Sequence, residues 1–158
     1  MRERLPFLFA ALIYGGVLLR LAVVDVRTGY LPDRLVLPLG ALGRLLSAVG
    51  VLAPLAASFA GAVFGGGLFL LVYRLSRGGM GGGDVKLAAA IGAWPGLPAV
   101  LPALFAAFVL GSFAALFLLC RGAGRRATLP FGPFLAAGGL LGLLAGERIV
   151  RLYCEVFL

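Results

Sequence analysis

Histidine is absent from this chain of 158 residues, cysteine occurs twice and acidic residues number six. Each shortage closes off a kind of chemistry. Without histidine, and with Cys120 and Cys154 in neither metal nor redox spacing, the chain has no ligand set for zinc. Nucleotide fingerprints are missing too: the run Gly78–Asp84 fits neither G-x-G-x-x-G nor G-x-x-x-x-G-K-[ST], so neither a metal nor a cofactor is expected. Extended polar sequence is scarce; the longest clearly polar loop is residues 121–128.

What fills the chain is apolar. Hydrophobic residues make up 62% and the mean hydropathy is +1.10, against about 45–50% apolar residues in soluble domains. The apolar residues fall in long runs, the pattern of an all-α polytopic membrane protein. The 25 glycines suit close helix contacts in lipid. The formal net charge of +8 could suggest nucleic acid. In a membrane chain it points instead to cytoplasmic loops and anionic lipid heads, so lipid is an expected partner and nucleic acid is not. The N-terminal apolar run is too long for a signal peptide and has no small-x-small site after it, which makes it a retained span.

The runs predict a single membrane-embedded domain, residues 1–158, built as a bundle of about six transmembrane helices. The first runs from Leu5 to Arg27, with Gly29 as its C-cap and Pro32 beyond. The second follows Asp33, read as an N-cap, and ends near Leu52. The third covers Pro54–Leu75, and a glycine-rich loop leads to the fourth at Asp84. The fourth meets Trp94-Pro95. The fifth covers Leu97–Leu119 and the sixth runs from Pro130 to Gly146. The tail from Glu147 reads as a separate amphipathic, interfacial segment.

Six spans put the ends of the first, third and fifth on one side. Arg27, Arg34, Arg74, Arg77, Lys86, Arg121, Arg125 and Arg126 fall there, against Arg2, Arg4, Arg148 and Arg151 opposite. The first side is therefore expected to be cytoplasmic. Arg20 and Arg44 lie within spans; Arg20 can snorkel, and Arg44 has no evident partner.

Asp25 and Asp84 then stand at one depth on two helices. Ionisable groups in a membrane are costly and face protein or water. Two carboxyls on different helices at one depth can share a proton, and at close range one can activate a water while the other protonates the carbonyl oxygen or leaving amine. That is peptide hydrolysis without serine, cysteine or metal. The dipole of the fourth helix favours the ionised form at Asp84, the base if the roles divide. A coupled pair titrates as a unit, which leaves base and acid open between the two. Five of the six residues before Asp84 are glycine, bare backbone that can approach an extended substrate strand. Plainer readings stand beside these: Asp84 as an N-cap, Asp25 paired with a basic residue, and Pro130-Phe131-Gly132-Pro133 as a helix start rather than part of a cleft. A transporter with an aspartate proton relay and a non-catalytic scaffold of a secretion or pilus machine are the alternatives in other classes.

The stretch Gly79–Leu87, "GMGGGDVKL", resembles the G-M-G-x-G-D-x-K-L signature of the type IV prepilin peptidases, bacterial GxGD aspartyl proteases. Asp25–Asp33, "DVRTGYLPD", is similar to their first motif, and Leu129–Gly138, "LPFGPFLAAG", to a third. The resemblance implies catalytic Asp25 and Asp84. It implies a loop of Gly79, Met80, Gly81, Gly83 and Lys86, with Pro130, Phe131, Gly132 and Pro133 beside it. It also implies cleavage of a cationic leader from prepilins or pseudopilins, just after a glycine, at the cytoplasmic face of the inner membrane. These are the partners of type IV pilus, type II secretion or competence machinery. Longer members carry an N-terminal domain with paired Cys-x-x-Cys motifs associated with N-methylation. This sequence has no such pairs, so the expectation is a peptidase whose product is methylated, if at all, by another protein.

Overall fold

The computed structural model describes residues 4–76, 79–122 and 129–157. Arg2, Arg77, Arg125 and Arg126 of the basic count lie outside them. The described residues form six helices and no strand: α1 (Arg4–Thr28), α2 (Asp33–Ala48), α3 (Leu55–Leu75), α4 (Gly82–Gly92), α5 (Val100–Cys120) and α6 (Gly132–Phe157). The all-α, polytopic membrane architecture is thus as expected. Four helices, α1, α3, α5 and α6, are long and apolar enough to cross a membrane. The 16 residues of α2 and 11 of α4 give only about 24 and 16 Å at 1.5 Å per residue.

Short α4 is held by its neighbours. It lies chiefly along α3, with α2 and α6 on its other sides. Gly61 of α3 faces the backbone of Gly92, and Gly65 faces the carbonyl of Ala88, so the two backbones approach where no side chain intervenes. The same device joins α5 to α6, where Gly138, Gly142 and Gly146 pack on Ala99 and Ala103. These contacts make α5 and α6 antiparallel. They place Cys120 and Cys154, both free, towards opposite ends of the bundle.

After Gly92 the chain turns without continuing the helix. Irregular backbone at membrane depth needs protein partners, and it has them. Ser58 Oγ donates to the Ala93 carbonyl at 2.6 Å. The Leu97 amide donates to the Ala57 carbonyl at 2.9 Å, and Trp94 Nε1 donates to the Leu39 carbonyl at 2.9 Å. Trp94 is fully buried and stacks on Tyr14, ring centroids 4.3 Å apart. This knot anchors the far end of α4, opposite the end that carries Asp84.

Four expectations need correction. Asp33 is not an N-cap: the cap position is Pro32, no side chain caps α2, and Asp33 is already helical with its carboxylate committed elsewhere. The second helix stops at Ala48 rather than near Leu52, where Val49 and Gly50 (φ 78) break it. The tail is not a separate segment; α6 runs unbroken to Phe157, because Gly146 serves as a contact with Ala99 and no breaker follows it. Arg44 does have partners: its Nε donates to the Gly40 carbonyl at 3.2 Å and its guanidinium lies 5.7 Å from the Phe59 ring centre.

Candidate active site

Asp25 sits in the last turn of α1. That helix ends where Gly29, at φ 64, returns its amide to the Asp25 carbonyl at 2.7 Å, the left-handed C-cap that glycine takes most readily. Asp84 sits in the first turn of α4, following Gly81 at the N-cap position. The α1 and α6 helices run antiparallel, Tyr14 against Gly139 and Asp25 against Gly132. The start of α6 therefore arrives beside the Asp25 carboxyl.

Asp25 and Asp84 line one cavity of about 460 Å³ together with Val26, Thr28, Gly29, Gly79, Met80, Gly81, Leu129, Pro130 and Phe131. Both carboxyl residues are buried, at 5% and 7% exposure. Two buried acids in one cavity are costly unless they interact. Asp25 Oδ2 accepts a hydrogen bond from the Gly132 amide at 2.8 Å. That amide opens α6, so the carboxyl of Asp25 sits at a helix N-terminus just as that of Asp84 does. The dipole argument that favoured Asp84 as the base therefore no longer separates the two. Gly132 has no room for a side chain, since a Cβ there would lie 2.7 Å from Asp25 Oδ2.

The other residues expected at the site divide. Gly79, Met80, Gly81, Pro130 and Phe131 line the cavity. Phe131 is braced by Phe69 and Phe108, ring centres 5.8 and 5.9 Å away. Gly83 faces Leu31 instead, and Pro133 lines a small groove on the outer side of α1. Lys86 is outside the cavity and pairs with Asp33 at 2.7 Å. Sequence reasoning did not single out Val26, Thr28, Gly29 or Leu129 as wall residues. Their adjacency to Asp25 and Pro130 was the available signal. Among the described residues no group of three or more metal-ligating side chains forms.

A family model described as "Type IV leader peptidase family" matches residues 12–116. Both aspartates fall inside that match and the stretch from Leu129 falls beyond it. The chain is similar to a protein named prepilin leader peptidase/N-methyltransferase from Burkholderia pseudomallei (strain 1026b), 43% identical over 83% of this chain and 44% of that protein. Proteins of the same name from Aeromonas hydrophila and Pseudomonas aeruginosa are 36% and 39% identical, over 94% and 92% of this chain and 53% and 52% of theirs. The chain spans about half the length of these relatives. No solved structure matches it.

Proposed function

The chain belongs to the type IV leader peptidase family, and from that premise we propose that it is an aspartic endopeptidase acting on type IV prepilins or pseudopilins, with Asp25 and Asp84 as its catalytic residues. The observation that carries this is the joint placement of these two buried carboxyls, from separate helices, in the wall of one cavity.

The chemistry follows from that placement. A water held between the carboxyls loses a proton to the ionised one as its oxygen attacks the scissile carbonyl carbon. The protonated one donates to the carbonyl oxygen, and collapse of the tetrahedral adduct sends a proton to the leaving amine. The Gly132 amide occupies Asp25 Oδ2 and leaves Oδ1 for the water. Preorganising a carboxyl with a fixed backbone donor avoids reorganisation during the reaction. The backbone of Gly79 and Gly81 forms part of the wall and offers an extended substrate strand its hydrogen-bonding partners.

The aspartates lie at the end of the bundle that also carries Arg27, Arg34, Arg74, Lys86 and Arg121, while Arg148 and Arg151 lie towards the other end. That asymmetry supports an inner-membrane orientation with the cavity towards the cytoplasm. There the leader of a prepilin is to be cut after a glycine. N-methyl transfer is part of the names of those longer relatives and is said of those proteins. The experiment is incubation of the purified protein with a prepilin, wild type against Asp25→Asn and Asp84→Asn. Each variant should lose cleavage while keeping its fold; full cleavage by either one ends the aspartic-peptidase reading.

A further inference from the structure

Asp33 and Lys86 stand outside the cavity, and the reaction above does not use them. Their placement is nonetheless specific. Lys86 Nζ donates to both oxygens of Asp33, at 2.9 and 2.7 Å, tying the first residue of α2 to the first half of short α4. A second contact lies beside it: Leu31 is buried against Gly83, where a Cβ would lie 2.9 Å from that of Leu31. Gly83 precedes Asp84 and Lys86 follows it by two residues. The two contacts straddle the catalytic carboxyl.

The segment that makes them is the continuation of the chain from Asp25. The Gly29 amide closes on the Asp25 carbonyl, and only three residues separate Gly29 from Asp33. On the other side α4 is led in by a glycine-rich stretch, and no side chain caps its start. Glycine backbone restrains position poorly, so the α4 start needs an outside hold. We propose that Leu31–Asp33 is a latch that grips the turn bearing Asp84 and thereby sets the separation of the two carboxyls, with Asp33 and Lys86 as positioning residues. The proposal rests on the peptidase reading above.

Both ends of the ion pair are about half exposed, 49% and 43%. An exposed pair contributes little to global stability, so the fold should survive its loss while the catalytic geometry does not. Misplacement of a reacting group by about 1 Å costs on the order of a hundredfold in rate.

The test uses the full chain, purified and reconstituted, with a prepilin substrate, and measures kcat and KM separately. Asp33→Lys and Lys86→Asp should each lower kcat about tenfold or more, on that scale, with KM little changed. The doubly substituted chain, Asp33→Lys with Lys86→Asp, should recover most of the loss because the pair re-forms with reversed polarity. Single variants with wild-type kcat overturn the latch. So does a swapped chain no better than its worse parent, which would mean the two residues act separately. If the swapped chain does not insert, Lys86→Arg against Lys86→Gln decides. Arginine can hold the carboxylate and should keep kcat where glutamine loses it; equal values overturn the proposal. Asp25→Asn and Asp84→Asn run in the same assay separate the two claims. Full cleavage by either of those variants defeats the aspartic-peptidase reading itself. Aspartate-dependent cleavage with a kcat indifferent to the pair defeats only the latch.

Discussion

Replacing Gly132 by alanine adds one methyl group directly against the carboxyl of Asp25, which lines the cavity. The new Cβ would lie 2.7 Å from Asp25 Oδ2 and 3.0 Å from Asp25 Cβ and Cγ. Neither side can yield by swinging a long side chain away: one partner is the α6 backbone and the other a short carboxyl on a packed helix. The separation must open, and the 2.8 Å hydrogen bond from the Gly132 amide is lost or lengthened. A hydrogen bond to a charged group contributes about 1.5–3 kcal/mol. At 1.36 kcal/mol per factor of ten, kcat should fall about 10- to 150-fold. KM should change little, since the methyl group intrudes on Asp25 rather than on the cavity floor. Alanine is no worse than glycine in a helix, so any shift of the thermal melt in detergent reports the overpacking, about 1–3 kcal/mol, and not helix propensity. The assay is leader release from a purified prepilin, followed by mass, beside a thermal melt of the same preparation. A Gly132→Ala enzyme with wild-type kcat would show that this amide does not hold Asp25 during turnover.

Three further outcomes follow from the same geometry. The Asp25→Asn, Asp84→Asn double variant should be no slower than either single one, because the carboxyls act as a unit; additive losses in a sensitive cleavage assay would break the pairing. Gly61→Ala should force α3 from α4, where the new Cβ meets the Gly92 carbonyl, and overpacking of this kind costs about 1–3 kcal/mol; an unshifted melt in detergent would contradict the contact. An impermeant thiol reagent applied outside intact cells should modify exposed Cys154 and spare Cys120; the reverse pattern would invert the proposed orientation.

Much of the site was legible because its signals are local. Asp25 ends an apolar run at a glycine C-cap, and Asp84 opens a helix after five glycines in six residues. Burying a carboxyl in such a chain is costly, so its position alone marks it. The proline and phenylalanine of Leu129–Gly138 were read both as a helix start and as cleft wall. Pro130 and Phe131 directly precede α6, which begins at Gly132, and both line the cavity.

The misreadings have one physical origin. In a chain this apolar, the lipid-facing and core-facing sides of a helix are made of the same residues, as exposed Leu12, Val63 and Phe105 and buried Leu18, Leu21 and Leu104 show. A glycine can then be a helix end or a contact. Gly146 was read as an end and is a contact with Ala99; Asp33 was read as a cap and is an ion-pair partner.

The sequence by itself determined that the chain is built of membrane-length apolar runs, where those runs lie, and which two aspartates stand at their ends. Transfer free energy and backbone preference act residue by residue or over a single turn, so they can be read along the chain. Only the tertiary structure decided that the Gly132 amide meets Asp25 across 107 residues and that Lys86 meets Asp33 across 53. It alone decided that Trp94 closes the far end of α4 against Leu39. Those pairings depend on which helix faces press together, and in lipid that is set by close backbone contact at glycine and alanine, a property of two surfaces at once.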